Sequence, residues 1–137
     1  MRDQFGKRTI MFVDEVHRFN KTQQDALLPG VENGWVTLVA ATTENPSFSV
    51  IAPLMSRSLL VTLSELDEGE ITNVITRAIS DPRGLNDAVT ITSDALEMLI
   101  RLAGGDARRA LTVLEAAVGV ALGNSHSEIT VDDISSA

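Results

Sequence analysis

The sequence contains no cysteine, and only two of its 137 residues, His17 and His126, are histidines. A disulfide framework and a thiolate metal site are therefore excluded, and two histidines so far apart indicate no zinc site. No apolar run approaches the roughly 20 residues that a membrane-spanning helix requires, so we predict no contact with a membrane. The first residues are of mixed polarity and do not resemble a secretory leader. These absences favour a protein of the reducing cytoplasm.

Basic residues are scarce in the second half of the chain. Residues 1–63 contain six Lys and Arg against six Asp and Glu, whereas residues 64–137 contain five against thirteen. The net charge of −8 therefore lies entirely after residue 63. An acidic segment of this kind is a poor non-specific ligand for nucleic acid, because phosphate contacts need local positive charge. The change in charge also predicts a domain boundary between residues 63 and 64.

The first half of the chain has the pattern of an α/β protein. Residues 9–13 and 35–42 are apolar runs, which predict strands buried in a sheet that helices cover on both faces. A helix over Lys21–Val31 is predicted between them, and Leu59–Leu63 predicts a third strand. Strands separated by helical crossovers indicate a parallel sheet.

After residue 63 the apolar period changes to that of helices. Asp67 and Glu70 have the spacing of a capping box that begins a first helix, and Gly104-Gly105 ends a second. Asp106 can cap a third helix that ends at Gly123. Two short segments, 89–91 and 128–131, could pair as a small β-ribbon. The second half is therefore predicted to be an α-helical subdomain.

The most informative stretch is Ile10–Glu15, in which four apolar residues lead directly into Asp14 and Glu15. This places two carboxylates at the carboxyl end of a parallel strand, where open α/β sheets bind ligands. Nucleotide hydrolases use a first acid to hold Mg²⁺ on the phosphates and a second to polarise an attacking water. A strand that ends in a solvated acidic turn is the simpler interpretation, and these six residues alone do not decide between the two.

Five segments, taken in order, resemble the AAA+ ATPases, and among them the clamp-loader-related family of replication-associated recombination protein A and the Werner-interacting ATPases. The segments are FVDEVHRFNK (12–21), QQDA (23–26), ATTENPSF (41–48), LMSR (54–57) and GDARRAL (105–111). The resemblance implies an α/β fold with a partial parallel P-loop NTPase sheet followed by an α-helical lid. Residues 1–63 would be the carboxyl half of the AAA+ core, and residues 64–137 the lid.

The resemblance also implies roles for single residues of the core. Asp14 matches the Walker B aspartate that holds Mg²⁺, and Glu15 matches the catalytic glutamate that activates water. Thr43 occupies the sensor-1 position that reads the γ-phosphate, and Asn45 is a second candidate for part of that role. His17 is interpreted as a structural residue, because Glu15 already fills the role of base. Phosphoryl transfer is catalysed mainly by such positioning and charge stabilisation.

Two arginines complete the implied set. Arg57 matches the arginine finger that these enzymes insert into a neighbouring subunit's site, and Arg108 matches sensor 2, which reaches the nucleotide from the lid. Arg57 has a simpler interpretation as a surface arginine paired with Glu65 or Asp67. Arg108 lies at a predicted helix amino terminus, where positive charge opposes the macrodipole, and this cost favours a functional reason for its position.

The phosphate-binding part of the family's site is absent from the sequence. A P-loop has the pattern Gly-x-x-x-x-Gly-Lys-Ser/Thr between a strand and a helix. The only Gly-Lys pair, in Gly6-Lys7-Arg8, lacks the first glycine and the hydroxyl residue, and it precedes a strand. We therefore expect an amino-terminally truncated fragment of an ATPase that is inactive alone and leaves faces of its sheet exposed.

The resemblance implies a function in DNA replication, recombination and the repair of stalled forks. It implies ATP and Mg²⁺ as cofactors, DNA as a partner and self-association into a ring, although no residue indicates DNA binding directly. Two alternatives stay open. One is a sibling enzyme, either a clamp-loader subunit or a branch-migration helicase. The other is a non-catalytic interaction module that keeps the AAA+ fold without binding nucleotide.

Overall fold

The computed structural model describes residues 9–137, and Gly6-Lys7-Arg8 lies outside the described residues. The chain divides into two compact units, the second of which begins at Leu63. We call residues 9–62 the core unit and residues 63–137 the helical unit. Within residues 9–137, no helix is both long and apolar enough to cross a lipid bilayer.

The core unit is built on two parallel strands joined by short helices. Its elements are β1 (Thr9–Val13), a 3₁₀ turn (Val16–Arg18), α1 (Lys21–Asp25), α2 (Leu28–Glu32), β2 (Val36–Ala40), α3 (Pro46–Ser49) and α4 (Ala52–Met55). The strands pair in a register that runs from Thr9 opposite Val36 to Val13 opposite Ala40. The pairing continues past the strand ends, because Ala41 N–H donates to the Val13 carbonyl and Val16 N–H donates to the Ala41 carbonyl. The predicted parallel pairing is confirmed.

Two predicted elements of the core unit were wrong. The single helix expected over Lys21–Val31 is divided into α1 and α2, because Pro29 has no N–H and its ring would clash with the carbonyl four residues earlier. Leu59–Leu63 is not a strand. A strand requires a hydrogen-bonded neighbour, and in the described part of the core unit β1 and β2 pair only with each other.

The sheet of the core unit is far more open than its apolar sequence predicts. Val13 is the one buried residue of β1, whereas the side chains of Ile10 and Phe12 are 69% and 64% exposed. The prediction of burial on both faces was therefore wrong, and the expectation of exposed sheet faces is confirmed. Two strands and short helices do not supply enough surface to cover both faces.

The helical unit encloses the larger hydrophobic core. Its elements are α5 (Glu68–Ser80), β3 (Thr90–Ile91), α6 (Ser93–Ala103), α7 (Ala107–Gly123), β4 (Glu128–Ile129) and α8 (Val131–Ser135). The predicted capping box is confirmed, with Glu70 N–H donating to Asp67 Oδ1 at 2.8 Å and Asp67 N–H donating to Glu70 Oε2 at 2.9 Å. The predicted ribbon is also confirmed, as a parallel pair of β3 and β4. The hydrophobic core of the helical unit includes Ile71, Ile75, Leu99, Ala110, Leu114, Ala117, Ala121 and Ile129.

The predicted stop at Gly104-Gly105 is confirmed. Gly104 closes α6 in the left-handed conformation, at φ 56° and ψ 41°. Gly105 also has a positive φ, of 79°, and a Cβ at this position would lie 2.9 Å from Glu65 Cβ. Leu66 N–H donates to the Gly105 carbonyl at 3.1 Å. Glycine is therefore required at 105 both for its backbone conformation and for this close approach.

An ion pair joins the end of α7 to the last helix of the helical unit. His126, which follows α7, contacts Asp133 of α8 with Nε2 3.0 Å from Oδ2. Asp133 is 2% exposed and also accepts hydrogen bonds from the N–H and hydroxyl of Thr130, each at 2.8 Å. The hydrogen bond from His126, followed by those from Thr130, lowers the pKa of Asp133 to about 2. The same contact raises the pKa of His126, with a smaller contribution from Glu128.

The pH dependence of unfolding tests this ion pair. Because the pKa of Asp133 falls from 3.8 to about 2 on folding, its contribution to stability is present above pH 3.8 and is lost as the pH falls toward 2. Because the pKa of His126 is raised above 6.5, its contribution is complete below pH 6.5 and is lost as the pH rises through the folded-state pKa. We therefore expect Asp133→Asn to lower the thermal midpoint most between pH 3.8 and 6.5.

The neighbouring carboxylate provides the control for that measurement. Asp132 is exposed and also lies in the first turn of α8, so Asp132→Asn should change the midpoint little at any pH. A difference between the two variants that stays constant from about pH 3 to about pH 9 would contradict the assigned titrations.

Candidate functional site

The turn after β1 carries the two carboxylates that the sequence singled out. Asp14 is exposed, and its Oδ1 accepts a hydrogen bond from Glu15 N–H at 3.0 Å. Glu15 has left-handed backbone angles, φ 49° and ψ 50°, which cost a non-glycine residue about 1–2 kcal/mol. Strained residues persist only where their surroundings hold them, and they are common at functional sites. The left-handed backbone therefore makes Glu15 a candidate functional residue.

Arg18 holds the Glu15 side chain, a contact that the sequence analysis missed. The Arg18 side chain places Nε 2.6 Å from Glu15 Oε2. The Arg18 backbone N–H donates to the Glu15 backbone carbonyl at 2.9 Å. The side chains of Arg18 and Glu15 are 74% and 38% exposed, and exposed pairs of this kind contribute about 0–1 kcal/mol to stability. The contact therefore orients the carboxylate more than it stabilises the fold. The spacing of three residues within a 3₁₀ turn is the signal that could have found it.

The turn after β2 lies next to the turn after β1. His17 Nδ1 and Thr42 Oγ1 are 2.9 Å apart, and Thr42 Oγ1 also accepts a hydrogen bond from Glu44 N–H at 3.1 Å. Thr43 follows directly and is exposed. Asn45 caps α3, because its Oδ1 accepts a hydrogen bond from Ser47 N–H at 3.0 Å. The core unit thus brings Asp14 and Glu15 together with the Thr42–Asn45 turn at one edge of the sheet.

Gln24 is a buried junction of the core unit, and the sequence analysis assigned it no role. It is 2% exposed, and its amide nitrogen donates to the carbonyls of Phe19 and Ser49, both at 2.9 Å. Its amide oxygen accepts a hydrogen bond from Ile51 N–H at 3.0 Å. A single side chain therefore connects the segment after the 3₁₀ turn, the end of α3 and the residue that caps α4. No local pattern marks it, since two of its partners lie at least 25 residues away.

Arg57 follows α4 and forms a defined set of contacts. Its Nη1 donates hydrogen bonds to the Pro53 carbonyl at 2.9 Å and to Ser56 Oγ at 3.2 Å. Its Nη2 lies 2.8 Å from Glu32 Oε1, at the end of α2, and both side chains are about 45% exposed. Its carboxylate partner is thus Glu32, which the sequence analysis did not consider. The guanidinium is oriented but remains accessible to solvent.

Arg108 lies in the helical unit, in the first turn of α7. Asp106 caps this helix as predicted, because its Oδ1 accepts hydrogen bonds from Arg108 N–H at 2.8 Å and Arg109 N–H at 3.1 Å. The side chains of Arg108 and Arg109 are exposed. The cap leaves the Arg108 guanidinium on the surface at the amino end of the longest helix of the unit.

Asp14 and Glu15 are chemically suited to ligate Mg²⁺. Among residues 9–137 no three His, Cys, Asp or Glu side chains converge as a metal cluster. Mg²⁺ is commonly held by one or two carboxylates, water and substrate phosphates rather than by a cage of protein ligands. Asp14, exposed at the strand end with Glu15 beside it, supplies that kind of ligand. Hard oxygen donors are also the ligands that Mg²⁺ prefers.

Residues 85–137 match the family model described as the AAA C-terminal domain. An AAA domain-containing protein of Mycobacterium tuberculosis is 60% identical over 116 residues, which are 85% of this chain and 26% of that protein. Replication-associated recombination protein A of Escherichia coli K12 is 47% identical over 112 residues, which are 80% of this chain and 25% of that protein. The chain therefore spans about a quarter of the length of each of these two relatives.

Solved structures of similar fold confirm the predicted fold class. RuvB, the Holliday junction branch migration motor of Thermotoga maritima, matches with a TM-score of 0.79 and 28% identity. The match covers 95% of this chain and 44% of the RuvB chain. The predicted combination of a parallel sheet and a helical second half is therefore correct.

Proposed function

Because the chain belongs to the AAA+ ATPases, in the family of replication-associated recombination protein A, we propose that it forms the carboxyl half of an ATP-hydrolysing core and the lid that follows. The core unit corresponds to the first part and the helical unit to the second. The observation that carries this proposal is the position of Asp14 and Glu15 at the carboxyl end of β1, hydrogen-bonded through neighbouring residues to the turn of Thr43.

The proposed chemistry divides between the two turns. Asp14 would ligate Mg²⁺ through its exposed carboxylate, and Glu15 would orient the attacking water and accept its proton. Bound Mg²⁺ would neutralise charge on the β- and γ-phosphates of ATP. Thr43 would donate its hydroxyl hydrogen to the γ-phosphate or to the water. Asn45, which caps α3, would contribute to the same hydrogen-bonded edge.

Two arginines would complete the site by charge stabilisation. We assign Arg57 to the γ-phosphate of ATP bound by a neighbouring chain, and Arg108 to the nucleotide bound by its own chain. A finger supplied by a neighbour requires self-association, and we propose a ring. The accessible guanidinium of Arg57, held only by partly exposed partners, is consistent with such a transfer between chains.

The reaction would be coupled to remodelling of DNA during replication, recombination and the repair of stalled forks. The name of the Escherichia coli relative and the function of the RuvB motor both support this class of substrate. The net charge of −8 makes the chain alone a poor ligand for DNA, so we expect DNA contacts to depend on assembly. The absence of cysteine is consistent with a cytoplasmic location.

ATP hydrolysis by a longer chain tests the proposed function. We define the long chain as this sequence extended to the length of the curated relatives, including any P-loop encoded upstream of it. We expect the long chain to hydrolyse ATP and the 137-residue chain to be inactive. Glu15→Gln in the long chain should lower kcat by about 10²–10⁴, with ATP binding retained, because a positioned base contributes that factor.

A second carboxylate gives the matched control for Glu15. Glu44 is exposed in the turn after β2, so Glu44→Gln changes the charge equally at a nearby position and should retain most activity. Hydrolysis that survives Glu15→Gln unchanged would overturn the proposed role. Absence of both ATP binding and hydrolysis in the long chain would instead favour the non-catalytic interaction module.

A further inference from the structure

Two side chains outside the proposed catalytic set connect the turns that carry it. His17 lies two residues after Glu15, and Thr42 lies one residue before Thr43. Their contact, from Nδ1 to Oγ1 at 2.9 Å, is the one side-chain hydrogen bond between the two turns within the described residues. It therefore connects the position of the proposed base to that of the proposed sensor.

The Thr42 hydroxyl serves both turns at once. Its oxygen accepts a hydrogen bond from Glu44 N–H at 3.1 Å, which closes the turn after β2. The hydroxyl hydrogen and the second lone pair remain available for His17 Nδ1, as donor or as acceptor. His17 and Thr42 are both partly buried, so their contact is shielded from solvent more than the exposed ion pair of Glu15 and Arg18.

The backbone around His17 makes it a rigid support. Val16 is 1% exposed, and its N–H donates to the Ala41 carbonyl at 2.9 Å. The strained backbone of Glu15 lies directly before this anchored residue. A backbone held in the left-handed region needs such constraints to persist.

We propose that His17 and Thr42 form a positioning pair that sets the Glu15 carboxylate and the Thr43 hydroxyl relative to each other for attack on the γ-phosphate. The proposal rests on the proposed ATPase function. Neither residue of the pair touches substrate in this scheme. Loss of the pair would remove the side-chain contact between the two turns and leave only their backbone hydrogen bonds to hold the base and the sensor in place. A displacement of about 1 Å at a reacting group can cost about 10²-fold in rate.

Paired substitutions in the long chain test this proposal. His17→Phe and Thr42→Val remove the hydrogen bond, and each should lower kcat by about tenfold to a hundredfold while the KM for ATP changes by less than about threefold. His17→Asn and Thr42→Ser retain a polar group near the same position and should recover most of that loss. The double variant His17→Phe/Thr42→Val should be no slower than either single variant, because both remove the same contact.

Controls separate positioning from folding and from failure of the proposed function. Thr37→Val makes the same chemical change at an exposed position of β2, and the unfolding midpoint of each variant shows whether it is folded. A folded His17→Phe variant with unchanged kcat, or equal losses in His17→Phe and His17→Asn, would overturn the positioning pair. If Glu15→Gln also leaves kcat unchanged, the proposed function fails. If Glu15→Gln lowers kcat by the expected factor of about 10²–10⁴, only the positioning pair fails.

Discussion

Replacing Arg57 by alanine in the long chain is expected to lower ATP hydrolysis by about three to five orders of magnitude, the largest loss of any single substitution proposed here. The reason is that an arginine supplied to the γ-phosphate stabilises charge that develops in the transition state. Binding of ATP should persist, because the proposed binding groups Asp14 and Arg108 are unchanged. Steady-state hydrolysis and equilibrium nucleotide binding, measured on the same preparation, check this expectation.

Mixing two inactive variants tests whether Arg57 acts on a neighbouring chain. Glu15→Gln chains retain the finger, and Arg57→Ala chains retain the base. In a mixed assembly, Arg57 of one chain can complete the site of the other, so part of the activity should return. If mixing restores none while the variants still assemble together, Arg57 acts within its own chain or not at all.

Glu32 provides the control for the structural part of the Arg57 effect. Arg57→Ala also removes the 2.8 Å ion pair with Glu32, so this variant alone does not separate loss of the finger from loss of the ion pair. Glu32→Gln removes the charge pair but retains the guanidinium. Partly exposed ion pairs contribute about 0–1 kcal/mol to stability, so this variant should remain folded and keep most of its activity. An equal loss in both variants would assign the effect to the ion pair.

Replacing Gln24 by leucine is expected to destabilise the core unit by about 2–4 kcal/mol. The substitution leaves Ile51 N–H and the carbonyls of Phe19 and Ser49 without their partner, and a buried polar group that loses its partner costs about 1–3 kcal/mol. Gln24→Glu should cost at least as much, because an ionised carboxylate would face two carbonyl oxygens and cannot donate to them.

The single tryptophan makes this effect measurable in one unit alone. Trp35 is the only tryptophan of the chain and lies in the core unit, so denaturant unfolding followed by its fluorescence reports that unit. Gln23→Leu is the matched control, since Gln23 is exposed and its side chain accepts one hydrogen bond, from Asn20 N–H, of a kind that contributes about 0.5–1.5 kcal/mol. Equal shifts for the two variants would contradict the role of Gln24 as a buried junction.

Prediction from the sequence succeeded where partners are close along the chain. The capping box of Asp67 and Glu70 and the cap at Asp106 need only a three-residue spacing, and both form as predicted. It failed for Leu59–Leu63, whose apolar β-branched pattern predicts a strand but cannot supply a neighbouring strand. It failed again at Pro29, whose ring divides a helix that the apolar residues alone predict.

The candidate site was also predictable only in part, because some of its features depend on the geometry of turns rather than on a local sequence pattern. The apolar run into Asp14 and Glu15 predicted two carboxylates at a strand end, and the family resemblance supplied their proposed roles. The left-handed backbone of Glu15 and its contact with Arg18 depend on a turn geometry that no apolar period encodes. The roles of Thr43, Asn45, Arg57 and Arg108 remain predictions for the experiments above.

The sequence by itself determined the family, the positions of β1, β2 and the main helices of the second half, and the chemical types at the site, because apolar period, caps and motif spacing are local properties. Only the tertiary structure decided which groups support that site. His17 meets Thr42, Gln24 meets Ser49 and Ile51, and Arg57 meets Glu32, over separations of about 25 residues each. The physical reason is that such contacts exist only once the chain has folded; parallel pairing of β1 and β2, for example, is what places the turn of His17 beside the turn of Thr42.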